Sequence, residues 1–122
     1  MAEPGPPRLL IVEDEAMVLA LLRRGAEAAG WAVAATASSV ADALARLDAA
    51  PGWIEGALLD ANLRGVEAAP VAARLREAGI PFIVVTGYAA EHVARFAGDA
   101  PVLRKPFRAA KLAEALAALQ RR

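Results

Sequence analysis

The sequence predicts an α/β fold, a (βα)5 arrangement in which a doubly wound five-stranded parallel sheet lies between helices. Short apolar runs typical of strands alternate strictly with segments of helical periodicity. That alternation is typical of a parallel sheet with helices on both faces. The run 82–85, Phe-Ile-Val-Val, is apolar throughout, as a strand covered on both faces requires.

The first two strand–helix pairs occupy the residues up to about 50. A strand over about 8–13 precedes a helix over about 15–29. A short strand over 32–37 follows, and Ser38 or Ser39 can cap the next helix. The positions of these helices predicted to face inward, from their helical spacing, are Val18, Leu21, Leu22, Gly25, Val40, Ala43, Leu44 and Leu47.

The second half of the chain completes the alternation. A third strand runs into Asp60, and residues 62–66 are predicted to form a loop. Pro70 suits the first turn of a third helix, which ends at Gly79. The remaining predicted elements are a strand over 82–85, a short helix over about 89–96, a strand at 102–103 and a helix over about 108–120.

Size and composition limit the class of protein. A chain of 122 residues fits one domain with its own core, here predicted over 8–122 after a disordered lead-in over 1–7. The 14 basic and 14 acidic residues balance, and no basic patch stands out, so neither nucleic acid nor a membrane surface is an expected partner. The lack of cysteine excludes disulfides and thiolate metal sites, which fits a reducing compartment and predicts a cytoplasmic protein.

Polar residues stand where four of the strand-like runs end. They are the pair Glu13-Asp14, then Asp60, Thr86 and Lys105. In an open α/β sheet the ligand crevice lies outside the carboxyl ends of the strands. We therefore expect three acids, a hydroxyl and an amine to meet in one pocket, a set suited to a metal ion and a phosphoryl group.

Each of these residues alone has a commoner explanation. An acidic pair before a helix usually caps it, a lone aspartate at a strand end usually forms a turn, and a lone lysine is usually a solvated charge. Their joint occurrence at four strand ends is harder to attribute to chance. A carboxylate can accept a phosphoryl group as an acyl phosphate, and Mg²⁺, which prefers oxygen ligands, would offset the charge. The candidate ligands of Mg²⁺ are Glu13, Asp14, Asp60 and the backbone carbonyl of Asn62.

The chain resembles a response regulator receiver domain over about residues 8–120. The motifs that carry the resemblance are Ile11-Val12-Glu13-Asp14-Glu15, Leu58-Leu59-Asp60-Ala61-Asn62-Leu63, Val85-Thr86-Gly87 and Lys105-Pro106-Phe107. The resemblance implies a flavodoxin-like, CheY-like fold and a role in a two-component phosphorelay. Asp60 would be phosphorylated by a histidine kinase or a phosphotransfer protein. Thr86 would be the switch hydroxyl and Lys105 the phosphate-sensing amine, with a cis peptide bond before Pro106.

The chain departs from the usual receiver pattern in two ways. The stretch from Thr86 to Lys105 is shorter than in most receivers, so the fourth helix should be short or partly irregular. Receivers usually carry an aromatic switch residue three positions before the lysine, where this chain has Val102. An aromatic residue, Tyr88, instead lies two positions after Thr86. This arrangement is similar to the FAT GUY subgroup of single-domain response regulators. We hypothesise that Tyr88 takes over the aromatic role and partly shields the acyl phosphate from water.

The resemblance favours a single-domain regulator that is not an enzyme and that signals through contacts with a downstream protein. Alternatives are a receiver excised from a hybrid histidine kinase and a small aspartyl-phosphate phosphatase or phosphotransferase. Many such enzymes place an acid/base carboxylate two residues after the nucleophile, where this chain has Asn62. A flavodoxin-like cofactor carrier would need a phosphate loop rich in Ser, Thr and Gly, but Glu13-Asp14-Glu15 stands there.

Overall fold

A five-stranded parallel sheet forms the centre of the computed structural model, which describes residues 5–87 and 90–121. Its strands lie in the order β2-β1-β3-β6-β7, and β4 and β5 form a separate hairpin. The strands are β1 Arg8–Val12, β2 Ala32–Ala37, β3 Gly56–Asp60, β4 Asn62–Leu63, β5 Val66–Glu67, β6 Phe82–Thr86 and β7 Val102–Arg104. The helices are α1 Ala16–Ala28, α2 Val40–Ala49, α3 Ala69–Glu77, α4 Ala90–Ala97 and α5 Ala109–Gln120. The predicted fold class is confirmed.

Two apolar layers cover the two faces of the sheet. Alternate residues of each strand point to opposite faces. In β1, Leu10 and Val12 therefore join the layer under α2, α3 and α4, whereas Leu9 and Ile11 join the layer under α1 and α5. Each fully buried Leu or Ile contributes about 1.5–3 kcal/mol. These layers hold the strand ends in fixed positions relative to one another.

Local sequence signals account for several helix ends. The Ser39 hydroxyl oxygen accepts a hydrogen bond from the Asp42 N–H at 3.0 Å and so caps α2. Gly30 and Gly79 follow α1 and α3 with φ angles of 92° and 71°, which glycine adopts without steric cost. Pro70 lies in the first turn of α3, as predicted.

The inward face of α1 differs from the prediction at one position. Leu22 and Ala26 are buried, but Leu21 is 55% exposed. The helix contributes only a narrow stripe to the layer that it shares with α5, and Leu21 lies about 100° around the helix axis from Leu22. No helix among the described residues is long and apolar enough to span a membrane.

The predicted loop over 62–66 is instead a short β-hairpin. Asn62 pairs with Glu67, and Leu63 pairs with Val66, so the turn contains two residues. Arg64 and Gly65 occupy it with φ angles of 55° and 81°, which is the type I′ geometry that matches strand twist in hairpins. Such turns usually contain Asn-Gly or Asp-Gly, and Arg-Gly is a weaker signal.

Candidate functional site

The carboxyl ends of four neighbouring strands bring the predicted polar residues together. Asp60 ends β3 and Thr86 ends β6, while Glu13 and Lys105 directly follow β1 and β7. The Lys105 N–H donates a hydrogen bond to the Thr86 carbonyl oxygen at 2.8 Å. Glu13, Asp60 and Thr86 are all buried. The parallel register of the sheet thus places these four side chains at one edge.

Lys105 is the centre of the charge network. Its Nζ donates a hydrogen bond to Asp60 Oδ2 at 3.2 Å and lies 3.3 Å from Glu13 Oε1 and 4.0 Å from Glu15 Oε1. Burial lowers the pKa of Lys105, but the negative charges of Asp60 and Glu13 outweigh it and the net pKa is raised. The ammonium group therefore stays charged at neutral pH.

Glu13 carries a buried oxygen with an unsatisfied hydrogen-bonding capacity. Its Oε2 accepts from the Glu15 N–H at 3.1 Å. Its Oε1 has no hydrogen-bond partner among the residues described, since the 3.3 Å approach of Lys105 is an ion pair without hydrogen-bond geometry. Burial, and then the neighbouring carboxyl of Asp60, raise the pKa of Glu13 to about 7. An added cation would reduce the repulsion between the carboxylates of Glu13 and Asp60 and would give Glu13 Oε1 a partner.

The acidic segment after β1 can hold a metal ion. Carboxylate oxygens of Glu13, Asp14 and Glu15 lie within 4.8 Å of one another. The donors are all oxygens, as Mg²⁺ prefers, and Glu13 also carries the buried Oε1 that is unpartnered among the described residues, so these residues fit such an ion. Glu15 was not among the ligands predicted from the sequence. An exposed acid after a strand gives no signal that separates a ligand from a solvated charge.

Asn62 has the position predicted for a backbone ligand. Its N–H donates to Asp60 Oδ1 at 3.2 Å, and its side-chain oxygen accepts from the Gly65 N–H at 2.9 Å. The next pair outward in the hairpin ladder is closed by the Ala68 N–H, which donates to the Ala61 carbonyl at 2.9 Å. Hydrogen-bonded and non-hydrogen-bonded pairs alternate, so the ladder does not use the carbonyl of Asn62.

A cavity of about 310 Å³ opens onto these residues. Gly87 lines it, and the lack of a side chain there leaves room for an incoming group. The charged side chains around it belong to Asp14, Glu15, Asp60, Arg64 and Lys105. Two larger depressions, of about 380 and 440 Å³, lie near Ile80 and Pro81 at the other end of the sheet, away from Asp60.

The structure describes only one of the two positions considered for the aromatic switch, Val102. Val102, where receivers usually have an aromatic residue, is 43% exposed on the edge strand β7. Tyr88 lies outside the described residues, so its role remains a prediction. The peptide bond between Lys105 and Pro106 is cis, as the resemblance implied.

The family is settled by comparison with known proteins. Residues 9–117 match the family described as the response regulator receiver domain. The chain belongs to this family. The family predicted from the motifs is confirmed, together with its CheY-like fold.

Several receiver structures are similar over nearly the whole chain. The solution structure of SdrG from Sphingomonas melonis Fr1 is 41% identical, with a TM-score of 0.81 over 97% of this chain and 99% of that one. The BeF3-activated conformation of SdrG from Pseudomonas melonis Fr1 gives 42% identity and a TM-score of 0.77 over 96% and 98%. A response regulator receiver protein from Sinorhizobium medicae WSM419 is 28% identical, with a TM-score of 0.84 over 95% of both chains. Comparison with curated proteins gave no match.

Proposed function

We propose that this receiver is a stand-alone phosphorylation switch in which Asp60 accepts a phosphoryl group from a histidine kinase or a phosphotransfer protein. The observation that carries the proposal is the setting of Asp60. Its carboxylate lies at the wall of an open cavity, with one oxygen bound by the Lys105 ammonium and the other by the Asn62 N–H. A carboxylate held in this way is oriented for attack on an incoming phosphorus atom.

The chemistry is a displacement at phosphorus. An oxygen of Asp60 forms a bond to phosphorus while the bond from phosphorus to the donor breaks. The leaving group departs with the electron pair of the broken bond. From acetyl phosphate it leaves as acetate, and from phosphohistidine it leaves as the imidazole of the histidine, which is protonated on its nitrogen. The product is an acyl phosphate on Asp60. The positive charge of Lys105 offsets the negative charge that the phosphoryl oxygens bring into the site.

Mg²⁺ is the cofactor that the donor set supports. Glu13, Asp14, Asp60 and the carbonyl of Asn62 would hold it, and Glu15 lies close enough to Glu13 and Asp14 to supply a further oxygen. When bound, the ion would offset the negative charge that accumulates between nucleophile and phosphoryl group. The chain's own contribution is to bring these oxygens together at the carboxyl ends of the strands and to keep Glu13 buried. Its attraction to a cation is stronger there than in water.

The switch follows from the change of charge at Asp60. Phosphorylation places about two negative charges where one carboxylate stood. The Thr86 hydroxyl and Lys105 would then bind phosphoryl oxygens. The segment that joins Thr86 to α4 would repack in response. A downstream protein that prefers this arrangement shifts the population by its differential affinity. The BeF3-activated conformation of the similar protein SdrG supports such a second state.

We propose that the protein signals through protein contacts and has no turnover of its own, as in the FAT GUY regulators that it resembles. The cytoplasmic location predicted from the sequence is part of this proposal. A small aspartyl phosphatase is the competing activity. The amide of Asn62, which lies beside Asp60, does not ionise near neutral pH and cannot act as a general acid or base, so this activity is disfavoured.

The test is phosphorylation by acetyl phosphate with and without Mg²⁺, followed by mass spectrometry. We expect labelling that requires Mg²⁺ and that is lost in Asp60→Asn. Asp99→Asn is the matched control, since Asp99 is exposed in the turn after α4. Label retained on another residue of Asp60→Asn would refute the site. Steady hydrolysis of a small phosphoester would favour the phosphatase instead.

A further inference from the structure

The turn of the hairpin after Asp60 holds an arginine that the backbone does not favour. Among the described residues, Arg64 alone combines a positive φ, 55°, with a side chain. The left-handed conformation costs a residue with a Cβ roughly 1–2 kcal/mol, and turns of this type prefer Asn, Asp or Gly. Backbone preference therefore does not explain why this position carries a long cationic side chain.

Hydrogen bonds hold this arginine beside the acidic cluster. The Arg64 N–H donates to Asp14 Oδ2 at 3.0 Å. The next residue, Gly65, donates its N–H to the side chain of Asn62 at 2.9 Å. The backbone of Arg64 is thus fixed to a candidate metal ligand, and Arg64 is an exposed residue that lines the same cavity as Asp60 and Lys105.

The charge of Arg64, a residue that lines this cavity, is not neutralised by a neighbouring acid among the described residues. Its guanidinium makes no ion pair with any residue in 5–87 or 90–121. The other cation at the site, Lys105, is already engaged by Asp60 and Glu13. A phosphoryl donor is an anion that must approach a pocket rich in carboxylates. A guanidinium offers planar, bidentate hydrogen bonds that match phosphoryl oxygens.

We propose that Arg64 binds the phosphoryl oxygens of the donor at the pocket mouth and so brings the donor to Asp60. This inference rests on the proposed function and names the residue that recognises the donor. The same position predicts opposite effects on two ligands. A cation at the rim attracts an anionic donor, but it repels Mg²⁺, which binds the neighbouring acids.

These opposite effects, on the anionic donor and on Mg²⁺, distinguish donor recognition from a structural role of Arg64. Arg64→Gly removes the cation and keeps the turn, because glycine adopts a positive φ freely. We expect phosphorylation by acetyl phosphate to slow about three- to tenfold, the loss of one charged hydrogen bond partly exposed to water. We expect Mg²⁺ affinity, measured by calorimetry, to stay the same or to rise up to about twofold. Arg64→Lys, which keeps the charge, should recover part of the rate.

The outcomes that overturn the proposal are distinct. Normal labelling of Arg64→Gly, while wild-type Asp60 is labelled, overturns donor recognition and leaves the proposed function standing. A joint fall of rate and Mg²⁺ affinity also overturns it, because damage to the hairpin would weaken both. Absence of any labelling in the wild type overturns the proposed function together with this inference. The control is Arg24→Ala, which removes an exposed cation from α1; alanine is used there because glycine would weaken the helix.

Discussion

The ammonium group of Lys105 is hydrogen-bonded to the carboxylate of Asp60 at 3.2 Å before any phosphoryl group is present. The same ammonium lies 3.3 Å from Glu13. One cation thus holds two buried carboxylates that would otherwise repel each other. The lysine that the resemblance describes as a phosphate sensor also acts here as the counter-ion that stabilises the unmodified pocket.

Removal of this counter-ion should destabilise the fold. In Lys105→Ala the buried carboxylates of Glu13 and Asp60 lose their cation, and we expect a loss of about 1–3 kcal/mol in the free energy of unfolding. Urea unfolding at neutral pH in EDTA measures it. Lys111→Ala, at an exposed position of α5, should change the midpoint little. Equal effects of the two substitutions would contradict the counter-ion role.

The raised pKa of Glu13 predicts how stability depends on pH without metal. Because the folded chain binds this proton more tightly than the unfolded chain, the contribution of Glu13 is fully present below about pH 4.5 and is lost as the pH rises through about 7. The loss is on the order of 3 kcal/mol.

Glu13→Gln isolates this contribution, since its amide does not titrate. We expect the wild type to lose stability relative to Glu13→Gln between about pH 5 and about pH 8 in urea unfolding with EDTA. Glu114→Gln is the control at an exposed position of α5. A wild type that gains stability relative to Glu13→Gln over this interval would show that the pKa of Glu13 is lowered instead.

The sequence predicted the parts of the fold that depend on local patterns. The run 82–85 could be recognised as a strand because it is apolar throughout, as a strand covered on both faces requires. The convergence of Asp60 and Lys105 followed from the geometry of parallel sheets. Leu21 could not be placed correctly, because its exposure depends on how closely α5 approaches α1. That distance is a tertiary property.

The hairpin after Asp60 could not be predicted from its residues alone. Its strands contain two residues each, which is too short for an alternating pattern. Hydrogen bonds from the turn to Asn62, which is near in sequence, and to Asp14, which is distant, help to hold it. Arg64 was therefore missed as a residue of the site, although Arg-Gly between Leu63 and Val66 was a weak signal.

The close approach of α1 and α5 depends on Gly25. A Cβ atom at this position would collide with the side chain of Leu112. Alanine favours helices over glycine by about 1 kcal/mol, but overpacking costs about 1–3 kcal/mol. We therefore expect Gly25→Ala to be destabilising in urea unfolding. In a Leu112→Ala background the collision is gone, and the same change should be stabilising. Destabilisation in both backgrounds would exclude this contact as the cause.

The hairpin should matter for metal binding as well as for stability. Gly65 and Gly52 both have a φ of 81°, and a Cβ atom at either would meet nothing within 4 Å. Gly65→Ala and Gly52→Ala should therefore cost similar stability, about 1–2 kcal/mol from the left-handed conformation alone. Only Gly65 belongs to the turn that binds Asp14 and Asn62, so only Gly65→Ala should weaken Mg²⁺ binding in calorimetry. Equal Mg²⁺ affinities in the two variants would mean that the hairpin does not position the metal ligands.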